Sequence, residues 1–262
     1  MSESQFVEVL GRRIEYRYLD PPGVPEAPGC IVMLHEGLGS VAMWKDFPAH
    51  LAAATSRRVL AYSRFAYGRS DPLPQPYRTL EMQEREAREV LPALLEALRI
   101  ERPILFGHSD GASIALIHAA LAPPAVAGVV ALAPHTFVED MCIVSIEAAR
   151  QAYVTTNLPQ KLARYHDDPD RAFWSWNNIW LDPAFRAWNI ERFLPRIRCP
   201  VLAIQGYQDE YGTMAQLDRL ASGVPTARLV KLESCGHSPH RDQPLRVLEE
   251  VCDWLKTLQE VR

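Results

Sequence analysis

The chain has 262 residues, 48% of them hydrophobic and 23% charged, with a formal net charge of −4 at neutral pH. This is ordinary globular usage, long enough for one large α/β domain with a well-buried core. The mildly acidic balance, with no Lys/Arg-rich run, argues against a nucleic-acid or lipid-headgroup partner, and no apolar stretch approaches the ~18 residues of a membrane span.

At the N-terminus, Met1-Ser2-Glu3-Ser4-Gln5 has neither the basic nor the apolar region of a secretory leader. Phe6 to Leu10 and Arg12 to Tyr18 alternate apolar with polar residues around Gly11, which predicts an antiparallel hairpin. A proline-rich loop, Asp20-Pro21-Pro22-Gly23-Val24-Pro25, leads to a predicted strand at Cys30 to Leu34. A helix around Trp44 to Ala54, a strand at Arg58 to Tyr62 and a long helix from about Leu80 to Leu98 follow. That helix carries Val90, Leu91, Leu94, Leu95 and Leu98 at helical spacing.

The next unit is the most informative. Pro103-Ile104-Leu105-Phe106 reads as a buried strand and Ala112 to Ala120 as a helix. Between them lies Gly107-His108-Ser109-Asp110-Gly111, a G-x-S-x-G turn in its strand-to-helix setting. Such a turn strains the serine backbone and needs glycines where strand and helix approach closely, so the Ser109 hydroxyl is held exposed above the sheet.

After a strand at Val126 to Leu132, the next strand begins only at Val201, and Pro159, Pro169, Pro183 and Pro195 punctuate the interval. The strand at Val201 to Gln205 is closed by Gly206-Tyr207-Gln208-Asp209, which puts Asp209 just beyond its carboxyl end. The strand at Ala227 to Leu232 is followed by Cys235-Gly236-His237-Ser238-Pro239-His240. Ligands of open α/β sheets bind at that edge. Singly, these residues read as a helix cap, a turn residue and a surface histidine. At three strand ends in the order Ser109, Asp209, His237, they read as nucleophile, acid and base. Glu210 and His240 are neighbouring competitors for the last two roles.

On these motifs the chain resembles the α/β-hydrolase superfamily of serine esterases and lipases. Two further segments carry the likeness. Ile31 to Ser40, with His35-Glu36-Gly37-Leu38-Gly39, resembles the loop that supplies an oxyanion-hole amide, although Glu36 stands where many relatives have glycine. Ser63-Arg64-Phe65-Ala66-Tyr67-Gly68-Arg69-Ser70 resembles the D-x-R-G-x-G-x-S loop, with Ser63 and Ala66 as departures. The resemblance implies a mostly parallel sheet with helices on both faces. It divides the chain into a core of residues 1–135 and 194–262 and a helical cap of residues 136–193. It also implies an acyl-enzyme on Ser109, with His237 as base, Asp209 orienting it, and the backbone N–H groups of Gly37 (Leu38 as alternate) and Asp110 binding the oxyanion. C–C bond hydrolases and lyases share that triad, and a small-molecule receptor shares the fold; an Asp-nucleophile enzyme is excluded by Ser109.

Four of the 6 tryptophans, Trp174, Trp176, Trp180 and Trp188, fall in the cap interval. Such rings either hold small helices onto the sheet or line an apolar acyl or aryl pocket. Trp176 and Trp180 are candidate substrate contacts, as are His135 and Glu139 beside the strand end at Ala133-Pro134. The Asp110 carboxylate either selects a cationic substrate group or accepts local backbone hydrogen bonds. The 5 cysteines, Cys30, Cys142, Cys199, Cys235 and Cys252, are scattered without C-x-x-C spacing, which predicts neither a disulfide framework nor a structural zinc site. The expectation is a cytoplasmic enzyme for a small-molecule substrate, without metal or cofactor.

Overall fold

In the computed structural model, which describes residues 4–24, 29–72 and 79–259, eight strands form one sheet in the order β1-β2-β4-β3-β5-β6-β7-β8. The hairpin β1 (Gln5–Val9) and β2 (Arg12–Leu19) turns at Leu10 and Gly11, both at positive φ, and β2 lies antiparallel to β4 (Arg58–Tyr62). All later pairings are parallel: β3 (Cys30–Leu34) with β4 and β5 (Ile104–His108), then β6 (Gly128–Leu132), β7 (Val201–Gly206) and β8 (Arg228–Leu232). Pro25, the end of the proline-rich loop, lies outside the described residues.

The unbroken apolar runs of the central strands follow from burial on both faces. Successive side chains point to opposite sides, so Val32, Leu34 and Leu105 join one core layer while Ile31, Met33 and Phe106 join the other. Helix α1 (Phe47–Thr55) lies in the second layer, preceded by a short 3₁₀ turn at Val41–Trp44 that takes Trp44 out of the predicted helix. The predicted helix from Leu80 is divided into α2 (Met82–Arg85) and α3 (Leu91–Ala97) by a wider turn at Glu86–Val90. Pro92 has no N–H to give to the preceding turn, which accounts for the widening, while the chain stays helical from Met82 to Ala97.

Helix α4 (Asp110–Leu121), directly after β5, is buried from Asp110 to Ala120 and so has no polar face. Between β6 and β7 come α5 (Asp140–Thr155), α6 (Leu158–Leu162) and α7 (Pro169–Trp180), which share a hydrophobic cluster separate from the two sheet layers. In it Tyr153 stacks on Phe173 at 3.8 Å, and Phe173 meets Trp176 edge-on at 5.9 Å. Helices α8 (Ala215–Gly223), α9 (Pro239–Asp242) and α10 (Pro244–Gln259) complete the chain, and α10 buries Val247, Val251 and Trp254 in the second sheet layer. No helix of the described residues is long and apolar enough to cross a membrane.

Candidate active site

Ser109 joins β5 to α4 at φ 53° and ψ −119°, a backbone conformation that costs a non-glycine residue about 1–3 kcal/mol. The flanking glycines make this turn possible. A Cβ on Gly111 would collide with the Leu34 carbonyl, and one on Gly107 with the backbone of Gly111 and Ala112. His237, in the loop after β8, reaches the serine: its Nε2 accepts from Ser109 Oγ at 2.9 Å. Its Nδ1 donates to Asp209 Oδ1 at 2.8 Å, from the loop after β7. Asp209 is fixed in turn by the Tyr211 amide at 2.8 Å and by Gln205 Nε2, which donates to its other oxygen at 3.1 Å.

These bonds set the charges. Burial alone would raise the Asp209 carboxyl, but the bond and charge of His237 and the Tyr211 amide outweigh it and hold the group below 3.8. Burial alone would lower His237, yet the bond and charge of Asp209, with Glu210 and Glu36 beyond, raise it above 6.5. The competitors are placed elsewhere. Glu210 accepts from the His237 backbone N–H at 3.2 Å, and His240 packs against Trp44, Phe47 and His108 with neither ring nitrogen bonded among the described residues.

The loop at residues 35–39 is anchored from both sides. The Glu36 carbonyl accepts from His35 Nδ1 at 2.7 Å, Arg64 Nη2 at 2.8 Å and the Gly39 amide at 3.1 Å. A trans peptide holds its N–H opposite its C=O, so the Gly37 N–H points away from those donors. Gly37 itself lines the cavity over Ser109, against the Trp176 indole, where any Cβ would collide with the ring. His166 secures the rest of the loop: its Nδ1 accepts from the Gly68 amide at 3.0 Å, and its Nε2 donates to the Leu38 carbonyl at 3.0 Å. Burial pulls His166 below 6.5, in keeping with the neutral ring that this pair of bonds requires.

Glu36, which replaces the family's glycine, lines the cavity and meets His108 Nδ1 at 3.5 Å and Arg241 Nη2 at 3.5 Å. Burial would raise its carboxyl, but His108 and the Arg241 charge hold it well below 4.5. The other nitrogen of His108 donates to the His237 carbonyl at 2.7 Å, tying β5 to the loop after β8.

The cavity has a volume of about 210 Å³. Ser109 and His237 border it on the sheet side, and Cys142 and Ile146 of α5 with Trp176 and Trp180 of α7 form the opposite wall. His135 lines it too, edge-on to Trp180 at 5.0 Å and 5.6 Å from the His237 ring. Glu139 does not line it. Its carboxylate is turned to the Thr213 amide (2.9 Å), Thr213 Oγ1 (2.6 Å) and Gln216 Nε2 (2.6 Å), pinning the start of α5 to the segment before α8. Asp110 does not line it either: its side chain accepts from Gln83 Nε2 at 2.8 Å, a side chain 27 positions away rather than the local backbone. Among the described residues, no group of three or more His, Cys, Asp or Glu side chains converges as a metal site requires.

Sequence reasoning singled out Ser109, His237, Gly37, His135 and both tryptophans, which the structure brings to one cavity, and Asp209, which it places behind His237. It did not find His166, His108 as a link to His237, or Gln205 behind Asp209. None of these three carried a mark in the sequence, whereas Glu36 stood out there as a departure from the family's loop.

A model of the alpha/beta hydrolase family matches residues 31–250. The chain is 29% identical over 252 residues to a protein of Pseudomonas savastanoi pv. phaseolicola named "Putative carbamate hydrolase RutD", covering 86% of this chain and 93% of that one. In fold it is similar to the enol-lactonase from Burkholderia xenovorans LB400, with a TM-score of 0.74 at 23% identity, covering 96% of this chain and 100% of the other. It is likewise similar to proline iminopeptidase of Mycobacterium smegmatis, with a TM-score of 0.79 at 18% identity over 99% of both chains.

Proposed function

The chain belongs to the alpha/beta hydrolase family, and on that premise we propose that it is a serine hydrolase cleaving a carboxylic ester, or its thioester or lactone equivalent, of a small, partly apolar molecule. The observation that carries this reading is the relay from Ser109 Oγ through His237 to Asp209, bonded at 2.9 and 2.8 Å beside a cavity. In the proposed reaction His237 Nε2 takes the Ser109 proton as the oxygen attacks the substrate carbonyl. Asp209 holds the Nδ1–H tautomer and stabilises the imidazolium. The N–H groups of Gly37 and Asp110 bind the oxyanion, and a single donor of this kind is worth about 100- to 1000-fold in rate. His237 then returns its proton to the leaving group, and water, activated the same way, releases the acyl group.

Residues 136–193 act as a cap whose aromatic wall selects the substrate. A cavity of about 210 Å³ suits a short acyl chain or one aryl ring. The names of the relatives span a carbamate, an enol-lactone and a peptide substrate, all of them carbonyl compounds with a heteroatom leaving group. A cytoplasmic setting, with no metal or cofactor in the reaction, belongs to the same proposal and rests on the scattered cysteines. The test is hydrolysis of short-chain and aryl p-nitrophenyl esters by the wild type and by Ser109→Ala. Turnover abolished by the substitution supports the reading. Turnover that survives it contradicts the assignment of the nucleophile.

A further inference from the structure

His135 is held in the cavity wall by its backbone rather than its ring. Ser113 Oγ, one helical turn after the nucleophile, donates to the His135 carbonyl at 2.7 Å and accepts from its N–H at 3.2 Å. The ring packs against Trp180, yet among the described residues neither of its nitrogens makes a hydrogen bond. Nδ1 is enclosed by protein with no partner, which leaves Nε2 as the nitrogen turned to the cavity. Burial, and then the charge of His237, push the ring down to about 3, so it is uncharged at neutral pH and carries one proton. An enclosed N–H without an acceptor is costlier than an enclosed lone pair. The proton therefore belongs on Nε2.

The groups facing this ring limit what it can bind. The walls of the cavity contain no lysine or arginine, and they carry the carboxylates of Glu36 and Glu210. A carboxylate-bearing substrate would meet Glu36 and Glu210 there, while the Arg241 guanidinium that meets Glu36 is not part of the lining. Among the other lining residues, Leu38, Cys142, Ile146, Trp176 and Trp180 provide apolar contact, and Tyr211 and Ser238 add uncharged polar groups.

We propose that His135 Nε2–H is a substrate-binding donor for an uncharged oxygen, such as an ether, carbonyl or hydroxyl, lying a few bonds from the scissile carbonyl. The preferred substrates are then neutral esters bearing such an oxygen. Plain alkyl esters and carboxylate-bearing esters are poorer ones. This rests on the ester-hydrolase reading above, but it can be tested apart from it.

Two matched pairs replace one CH₂ by oxygen on either side of the ester: p-nitrophenyl methoxyacetate against butyrate, and 2-methoxyethyl acetate against butyl acetate. Each is measured with the wild type, His135→Phe and His135→Gln. In at least one pair, His135→Phe should reduce kcat/KM for the oxygen ester about 10- to 100-fold more than for its carbon counterpart, mostly through KM. His135→Gln, which retains an N–H donor, should keep part of the preference. The corresponding uncleaved amides, bound to Ser109→Ala with and without His135→Phe, read the same contact without catalysis. Loss of activity with retained oxygen selectivity in amide binding would overturn the ester-hydrolase reading alone. Equal losses for both members of each pair, with no oxygen preference in amide binding, would overturn the role of His135.

Discussion

On the sheet side of the cavity, the side chains that perform the proposed chemistry are tied into bonds before substrate arrives: Ser109 to His237, His237 to Asp209, and Asp209 to Gln205 and the Tyr211 amide. On the opposite wall the contacts are ring against ring, as between His135 and Trp180, and among the described residues His135 Nε2, the nitrogen left to the cavity, makes no hydrogen bond. The contrast separates two tasks. Groups that must move a proton are preorganised by protein, since a dipole already in place costs no reorganisation during reaction. Groups that recognise are left for the substrate to satisfy, and selectivity then follows from which molecules can do so.

The largest effect expected on this division is from Asp209→Asn, which keeps the shape of the sheet side but reverses the tautomer it imposes on His237. The rate kcat should fall by about 10⁴-fold with little change in KM. A loss of only a few-fold would mean that Glu210 can act in its place.

Gly37→Ala tests the seam where the two walls meet. Its Cβ would collide with the Trp176 indole, so either the ring or the loop must shift. If the Gly37 N–H is an oxyanion donor, kcat falls about 100- to 1000-fold. The double variant Gly37→Ala/Trp176→Phe, with a smaller ring opposite, should recover part of the loss. No recovery, with the fold intact, would place the donor elsewhere in the loop.

The smallest effect is in the pH profile. His237 acts as a base only when neutral, and Asp209 raises its pKa above 6.5. Activity of the wild type should therefore fall as pH drops through a value above 6.5. In Asp209→Asn the remaining effect of burial lowers the imidazole, so the residual activity should lose this limb at a lower pH. A limb unmoved by the substitution would detach Asp209 from His237.

The two walls also differ in how far the sequence foretold them. The triad was readable because each member follows directly from a short apolar run, and strand ends of a parallel sheet converge on one edge. The tryptophans were readable as an aromatic concentration, and the two singled out as substrate contacts, Trp176 and Trp180, are the two that line the cavity. His166 was not readable, because its partners, Gly68 and Leu38, lie 98 and 128 positions away and no local pattern marks either bond. The same holds for His108 and the His237 carbonyl, 129 positions apart. Glu139 shows the reverse error. Its place one turn after His135 suggested the cavity, but the rotation at the start of α5 turned it to Thr213 and Gln216 instead. The helix expected from about Leu80 to Leu98 is present over Met82 to Ala97, and only its wider turn at Glu86–Val90 went unseen, since Leu91 continues the apolar spacing beside a proline that removes a hydrogen bond.

The central claim is that Ser109 is the nucleophile, and its most direct test is covalent. The wild-type protein is treated with diisopropyl fluorophosphate and its peptides are mapped by mass. The account predicts one diisopropylphosphoryl group, on Ser109, with the labelling slowed by orders of magnitude in His237→Ala. An unlabelled Ser109, or an adduct on another residue with equal speed in both proteins, would contradict it.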